Sequence, residues 1–251
     1  MKFKLTIAWL YPDLMSTYGD RGNLICLEKR CSWRKIEVEI KNITLETGIS
    51  ELLTADLLFM GGAQDRQQKV AADDFIHHKG PVIKRMINSD IPALFVCAAY
   101  QAAGYYYKPY HGKDIPGAGI FDLYTEHPGD QKQRLIGNCA SEIVNLSELK
   151  GTTLVGFENH GGRTYLGGKM KPLAKVLTGG GNNGEDGFEG GVYRHAIGSY
   201  YHGPLLPKNP QLADWLIARA LEVKYRKKIK LQPLVSFEEK VAHKKMLKSI
   251  T

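Results

Sequence analysis

The stretch at residues 91–104, IPALFVCAAYQAAG, is the feature that most constrains this chain. Residues 91–96 are a short apolar run of strand character. It passes through Cys97 straight into Ala98, Ala99, Tyr100, Gln101, Ala102 and Ala103, which are mostly small and helix-favouring. A strand that turns sharply into a helix at a cysteine presents the sulfur at a helix start, where unpaired N–H groups and the helix dipole favour the reactive thiolate. A cysteine with nothing converging on it is an ordinary small core residue. Here two further segments converge. One is the apolar strand at residues 57–60, which ends in Gly61-Gly62; the other is the strand-like run at residues 197–201, which delivers His202. Strand-end glycines can place bare N–H groups beside a reacting carbonyl, and a histidine can act as base and then as acid.

The first hundred residues alternate strand and helix patterns, which predicts a parallel sheet covered on both faces. Residues 5–10 read as the first strand and residues 12–22 as a loop, in which Asp20 and Arg21 are read as a pinning ion pair. A helix follows with Asn23 as its cap candidate. Strands are expected at 37–40 and 57–60, a helix from Asp65 to about Lys79 broken by Gly80-Pro81, and a second short helix at 82–88. Ligands in open parallel sheets sit beyond the carboxyl ends of the strands, so Gly61 and Cys97 belong to one edge. After Gly104 the pattern changes to short strand-like runs at 105–107, 121–126, 134–144, 153–158 and 173–177, read as antiparallel additions. The cluster at 179–184 is read as a flexible loop without the lysine and hydroxyl residue of a phosphate loop. An amphipathic helix from Asn209 closes the domain. The expected division is residues 1–224 as one domain and 225–251 as a basic, partly disordered extension.

The net charge of +8 is concentrated between Lys224 and Lys248, and no nucleic-acid motif accompanies it. Cys26, Cys31, Cys97 and Cys139 form no C-x-x-C pair and no zinc spacing, so neither a metal site nor a disulfide framework is expected. The first apolar run is short and interrupted by Pro12-Asp13, with no leader-type cleavage site, and nothing approaches the roughly 20 apolar residues of a membrane span. These features predict a soluble, cytoplasmic protein.

Six segments then stand in order: Tyr18-Gly19-Asp20-Arg21-Gly22-Asn23, Gly61-Gly62-Ala63-Gln64-Asp65, Cys97 to Gln101, Arg134-Leu135-Ile136-Gly137-Asn138, Gly156-Phe157-Glu158-Asn159-His160, and Tyr201-His202-Gly203-Pro204-Leu205-Leu206-Pro207. In this order the chain resembles the class I, triad-type glutamine amidotransferases of the cobyric acid and cobyrinate subgroup. Within it, the chain is most similar to the glutaminase subunits of lipid II isoglutaminyl synthases. The resemblance implies an α/β, flavodoxin-like fold with a largely parallel central sheet and antiparallel additions in the second half. It also implies a glutaminase that supplies ammonia to a Mur-ligase-like synthetase, in a heterodimer at the inner face of the membrane. That partner would use ATP and Mg to amidate the D-glutamate α-carboxyl group of lipid II, while this chain carries no cofactor. Alternatives of other kinds are an amidotransferase for a corrin or another carboxylated metabolite, and a catalytically inactive glutamine-binding subunit.

Carboxamide hydrolysis needs a nucleophile, an oxyanion stabiliser and a proton donor for departing ammonia. Cys97 is the expected nucleophile and His202 the base and acid, with His160 and His195 as alternative histidines. Backbone N–H groups of Gly61, Gly62 and Ala98 are the expected oxyanion donors. By the resemblance, Arg134 holds the substrate's α-carboxylate, and Gln101 also contacts substrate. Two features depart from the pattern of triad enzymes. Ala98 and Ala99 replace the glycines usual after the cysteine, and Pro204 stands where those enzymes carry a glutamate, leaving Glu158 as a candidate to orient His202.

Overall fold

A computed structural model describes every residue except Met1, Tyr18, Ser236 and Thr251, and omits the side chains of Asp65, Arg66 and Phe237. The alternating first hundred residues form β1 (Lys4–Leu10), α1 (Arg21–Ser32), β2 (Glu37–Ile43), α2 (Ile49–Leu52), β3 (Leu57–Met60), α3 (Asp65–Asp74), α4 (Gly80–Asn88) and β4 (Ala93–Val96). Every residue of β3 and β4 is buried, as a strand covered on both faces requires. The strands lie in the order β2-β1-β3-β4 with parallel pairing throughout. The chain moves outward from β1 to β2 and in the opposite direction from β3 to β4. Right-handed crossovers therefore put α1 on one face and α3–α4 on the other.

The second half contributes α5 (Ala98–Ala102), β5 (Tyr106–Lys108), β6 (Ile115–Pro116), β7 (Leu123–Glu126), β8 (Leu135–Ile143), β9 (Thr153–His160), β10 (Arg163–Leu166), β11 (Lys171–Thr178), β12 (Phe188–Tyr193) and β13 (Ala196–Ser199). β13 returns beside β4 in parallel, and β12, β11, β8 and β9 extend the sheet antiparallel to nine strands. β10, β7, β5 and β6 make a separate four-stranded sheet. The expected architecture is present, with five parallel strands and four antiparallel additions in the large sheet. Both sheets reach the edge at which β3, β4 and β13 end.

Four local expectations are corrected. Asn23 lies inside α1 and does not cap it; its Oδ1 instead accepts the Leu206 N–H at 2.8 Å. Gly80-Pro81 does not break the helical run: a π-helical turn at Phe75–Lys79 leads straight into α4, and Pro81 occupies its first turn, where a missing N–H is tolerated. The glycine cluster at 179–184 is tied down, because Glu158 accepts the N–H groups of Gly180 and Gly181, and Asn182 exchanges hydrogen bonds with Gly190. The basic extension is also ordered. After α6 (Leu205–Lys208) and α7 (Pro210–Tyr225), residues 226–235 lead to α8 (Phe237–Ile250), which packs on α6, β8 and β9. Arg30 on α1 pairs with Asp214 on α7 and Glu239 on α8, both at 2.7 Å, and His243 meets Thr153 at 2.8 Å.

Candidate active site

Cys97 sits between β4 and α5 with φ 54° and ψ −107°. A side-chain-bearing residue adopts positive φ only under tertiary constraint, at a cost of about 1–3 kcal/mol. Two backbone bonds impose it: the Cys97 N–H donates to Ser199 O at the end of β13 (2.8 Å), and Cys97 O accepts from Gln101 N–H in the first turn of α5 (3.0 Å). The sharp strand-to-helix turn read from the sequence is thus present. It leaves the Ala98 N–H at a helix start, where no intrahelical acceptor exists.

His202 follows β13 and is completely buried. Its backbone exchanges two hydrogen bonds with Phe157 on β9, at 2.8 and 3.2 Å, which fixes the residue across the site. Its Nδ1 lies 3.1 Å from Asp20 Oδ1, and the second oxygen of Asp20 accepts the Gly62 N–H at 2.7 Å. Burial works against charge on the ring, but the Cys97 sulfur and the Asp20 carboxylate outweigh it and raise His202 to about 10. That shift favours an imidazolium paired with the Cys97 sulfur, with the Asp20 carboxylate at its Nδ1. Gly62 is required by this crowding: a Cβ there would stand 2.9 Å from the His202 ring and 3.0 Å from Thr17 Oγ1.

A family model for the CobB/CobQ-like glutamine amidotransferase domain matches residues 6–210, a span that holds every one of these groups. The chain belongs to that family. Among curated relatives, it is 40% identical over 230 residues to the Staphylococcus aureus lipid II isoglutaminyl synthase (glutamine-hydrolyzing) subunit GatD, covering 92% of this chain and 88% of the relative. The corresponding Streptococcus pneumoniae subunit is 38% identical, covering 91% and 85%. Among solved structures, the glutaminase domain of Trypanosoma brucei CTPS with bound acivicin superposes with a TM-score of 0.59. At 14% identity, covering 91% of this chain and 96% of that one, it shares the fold.

In this amidotransferase Cys97 opens on a cavity of about 150 Å³ lined by Ala63, Gln68, Ala98, Gln101, Tyr107, His127, Arg134, His160, Gly161 and Gly162. Gln101 is held in place by its Nε2, which donates to Tyr200 Oη at 3.0 Å; that hydroxyl in turn meets Thr164 at 2.6 Å. Arg134, just before β8, donates Nε to Asn159 Oδ1 (2.5 Å) and Nη2 to Asn159 O (3.0 Å). His160 lies flat on Tyr200, with ring centroids 3.5 Å apart, and its Nδ1 meets Gly162 O at 2.8 Å. Burial pushes His160 down to about 3, with Arg163, Arg134 and His202 also disfavouring its charge, so it stays neutral.

The sequence reading is sorted by these positions. Cys97, Ala98, Gln101 and Arg134 share the cavity, and His202 stands behind Cys97. His195 is at the opposite end of β13, bonded to Asp90 O, and is no part of the site. Glu158 does not orient His202: its carboxylate faces Gly180 and Gly181, and the carboxylate at His202 Nδ1 is Asp20. Gly62, expected as an oxyanion donor, gives its N–H to Asp20. Asp20 does not form the loop ion pair with Arg21; its oxygens go to His202 and Gly62. One signal for its role was available: Asp20 follows β1 on the same carboxyl edge as Gly61 and Cys97. Tyr18 of the same segment lies outside the described residues.

Proposed function

We propose that this chain is the glutaminase subunit of a two-subunit amide-forming ligase. It hydrolyses L-glutamine and passes ammonia to a Mur-ligase-like synthetase, which amidates the D-glutamate α-carboxyl of lipid II to D-isoglutamine. The observation that carries the reading is Cys97 on its strained turn, lining a small polar cavity and backed by a His202 that Asp20 holds. The names of the two subunits that share 38–40% of its residues over most of both chains support the substrate and the partner.

In this mechanism the Cys97 thiolate attacks the side-chain carboxamide carbon of glutamine. The carbonyl electron pair moves onto oxygen, and the oxyanion accepts a hydrogen bond from the Ala98 N–H, with Gly61 the remaining candidate donor at the end of β3. His202 gives its proton to the leaving nitrogen as the C–N bond breaks, leaving a glutamyl thioester and neutral ammonia. His202 then takes a proton from water, the hydroxide adds to the thioester, and glutamate leaves as Cys97 is restored. Asp20 holds the ring in one orientation through both transfers.

Carboxylate activation by ATP and Mg belongs to the partner in this reading, and this chain needs no metal or cofactor of its own. No helix among the described residues is long and apolar enough to cross a membrane, and the reading puts the chain in the cytoplasm, at the membrane's inner face through the complex. The test combines the chain, a Mur-ligase-like synthetase, ATP, Mg, lipid II and glutamine labelled at the amide nitrogen. Labelled nitrogen in the amidated product, read by mass spectrometry and resistant to moderate unlabelled ammonium, supports the proposal. Labelled ammonia without labelled lipid II shifts the acceptor to another carboxylated metabolite; no hydrolysis under any condition makes the chain an inactive binding subunit.

A further inference from the structure

Arg134 alone offers the cavity less than its residue type suggests. Its Nε–Nη2 edge, one of the two that can grip a carboxylate side by side, is spent on Asn159. The nitrogen that faces the turn at Gly161 is Nη1. On the other side of the same turn stands His127, from the segment that follows β7. Its ring is flanked by Tyr110 (5.8 Å between centroids), and its Nδ1 accepts the Gly129 N–H at 3.2 Å. An Nδ1 that accepts leaves the ring proton on Nε2, so His127 presents an N–H donor.

These two nitrogens converge. A Cβ built on Gly161 would lie 3.5 Å from Arg134 Nη1 and 3.5 Å from His127 Nε2. At these separations a Cβ would be in ordinary contact, and the φ of Gly161 is not in the left-handed region, so packing does not require a glycine there. Both side chains and Gly161 line the cavity that Cys97 opens into, so the two donors stand close together on its wall. Among the described residues neither nitrogen has a hydrogen-bond partner. Two convergent donors, one carrying a fixed positive charge, match the two oxygens of a carboxylate.

We propose that His127 is a substrate-binding residue that, with Arg134, holds the α-carboxylate of the amino-acid substrate in the cavity beside Gly161. The inference rests on the glutaminase reading, since it assigns the end of the substrate remote from the amide under attack. His127 and Arg134 each contribute one donor from a different structural unit. Their pairing selects a free amino acid over a glutamine whose carboxyl is already in a peptide bond. A side chain at position 161 would stand against both nitrogens and obstruct the carboxylate's approach to them.

The test compares ammonia release by the full chain from L-glutamine and from L-glutaminamide, whose α-carboxylate is replaced by a neutral amide. His127→Ala is expected to raise the KM for glutamine about 10- to 100-fold with kcat nearly unchanged, the range for losing one hydrogen bond to a charged group. Its kcat/KM for glutaminamide should stay near wild type. His127→Gln, which keeps an N–H donor, should recover part of the loss. Gly161→Ala should fold normally and raise the glutamine KM at least as far. An unchanged glutamine KM in His127→Ala, or an equal loss on both substrates, overturns the assignment. A wild-type chain with no glutamine hydrolysis overturns the glutaminase reading instead, and the assignment falls with it.

Discussion

Asp20 and His202 lie 182 positions apart in the chain and meet at 3.1 Å, both fully buried. This contact does the work that a glutamate two residues after the histidine would do in triad enzymes, a place held here by Pro204. The proline cannot orient an imidazole, but it begins the turn into α6 and packs close to Gly22 in the first turn of α1. In this chain the carboxylate beside the histidine comes from the loop after β1.

Asp20→Asn is expected to lower kcat by about 100- to 10,000-fold, the span typical of impaired acid–base catalysis, with little change in KM. The pH profile separates this from general damage. Against burial, the Cys97 sulfur and, after it, the Asp20 carboxylate raise His202 to about 10, so the alkaline limb should fall near there. Without the carboxylate part of that rise is lost, and the variant's limb should move to lower pH. The same shift is a stability statement. The folded value lies above the ordinary 6.5, so protonated His202 contributes fully below pH 6.5 and its contribution is lost as pH rises through about 10.

A glutamine-like electrophile should label Cys97 before any other cysteine. Burial pushes Cys26 and Cys31 up to about 12 and raises Cys139 further, which suppresses their thiolates at neutral pH. Peptide mapping after brief labelling checks this. Modification confined to Cys26, Cys31 or Cys139 contradicts the assignment of the nucleophile.

The strained turn makes an unusual comparison informative. Replacing alanine with glycine ordinarily destabilises a protein by about 0.4–1 kcal/mol through the unfolded chain. At position 97, with φ 54° and ψ −107°, glycine relieves strain that alanine retains. Cys97→Gly is therefore expected to melt at or above Cys97→Ala, although both lack the nucleophile. A clear deficit of the glycine variant would show that the turn carries no strain.

Glu189 sits on β12, fully buried. Its Oε1 accepts from Ser199 Oγ (2.6 Å) and Tyr200 N–H (2.9 Å), while Oε2 has no hydrogen-bond partner among the described residues. Burial pushes it up to about 7, so the folded chain holds a proton that the unfolded chain releases near 4.5. Its contribution to stability is thus greatest below 4.5 and declines as pH rises through 7, by on the order of 3 kcal/mol. Thermal melts across pH 4.5–7.5 should show this decline in the wild type and a flatter course in Glu189→Gln. Parallel slopes would mean that Glu189 stays charged.

The local signals in the sequence were sufficient for the frame of the site. Apolar runs at 57–60 and 93–96, small residues after Cys97, and strand–helix alternation fix backbone preferences within a few residues of each position. They placed Gly61 and Cys97 on one sheet edge, and the order of the six short segments carried the family. Of the second half, β5, β7, β8, β9 and β11 were legible as short glycine-bounded runs, whereas β6, β10, β12 and the pairing order were not.

What the tertiary structure decided is which side chains meet. Asp20 reaches His202 because parallel pairing brings the ends of β1, β3, β4 and β13 together, a juxtaposition of residues far apart in the chain that no local pattern encodes. Glu158, in a family segment, turns toward the glycine cluster because its neighbour Phe157 is the residue that pairs with the His202 backbone. The basic extension became a packed helix through partners elsewhere in the chain, Glu239 with Arg30 and His243 with Thr153, which its own composition could not reveal. Arg134 and His127 converge on Gly161 only once β7, β8 and the turn after β9 are assembled. Secondary structure follows from short-range backbone and solvation preferences, which a sequence displays directly. The hydrogen-bond partners of buried polar groups follow from how the sheets close, and that is settled only when the whole chain is packed.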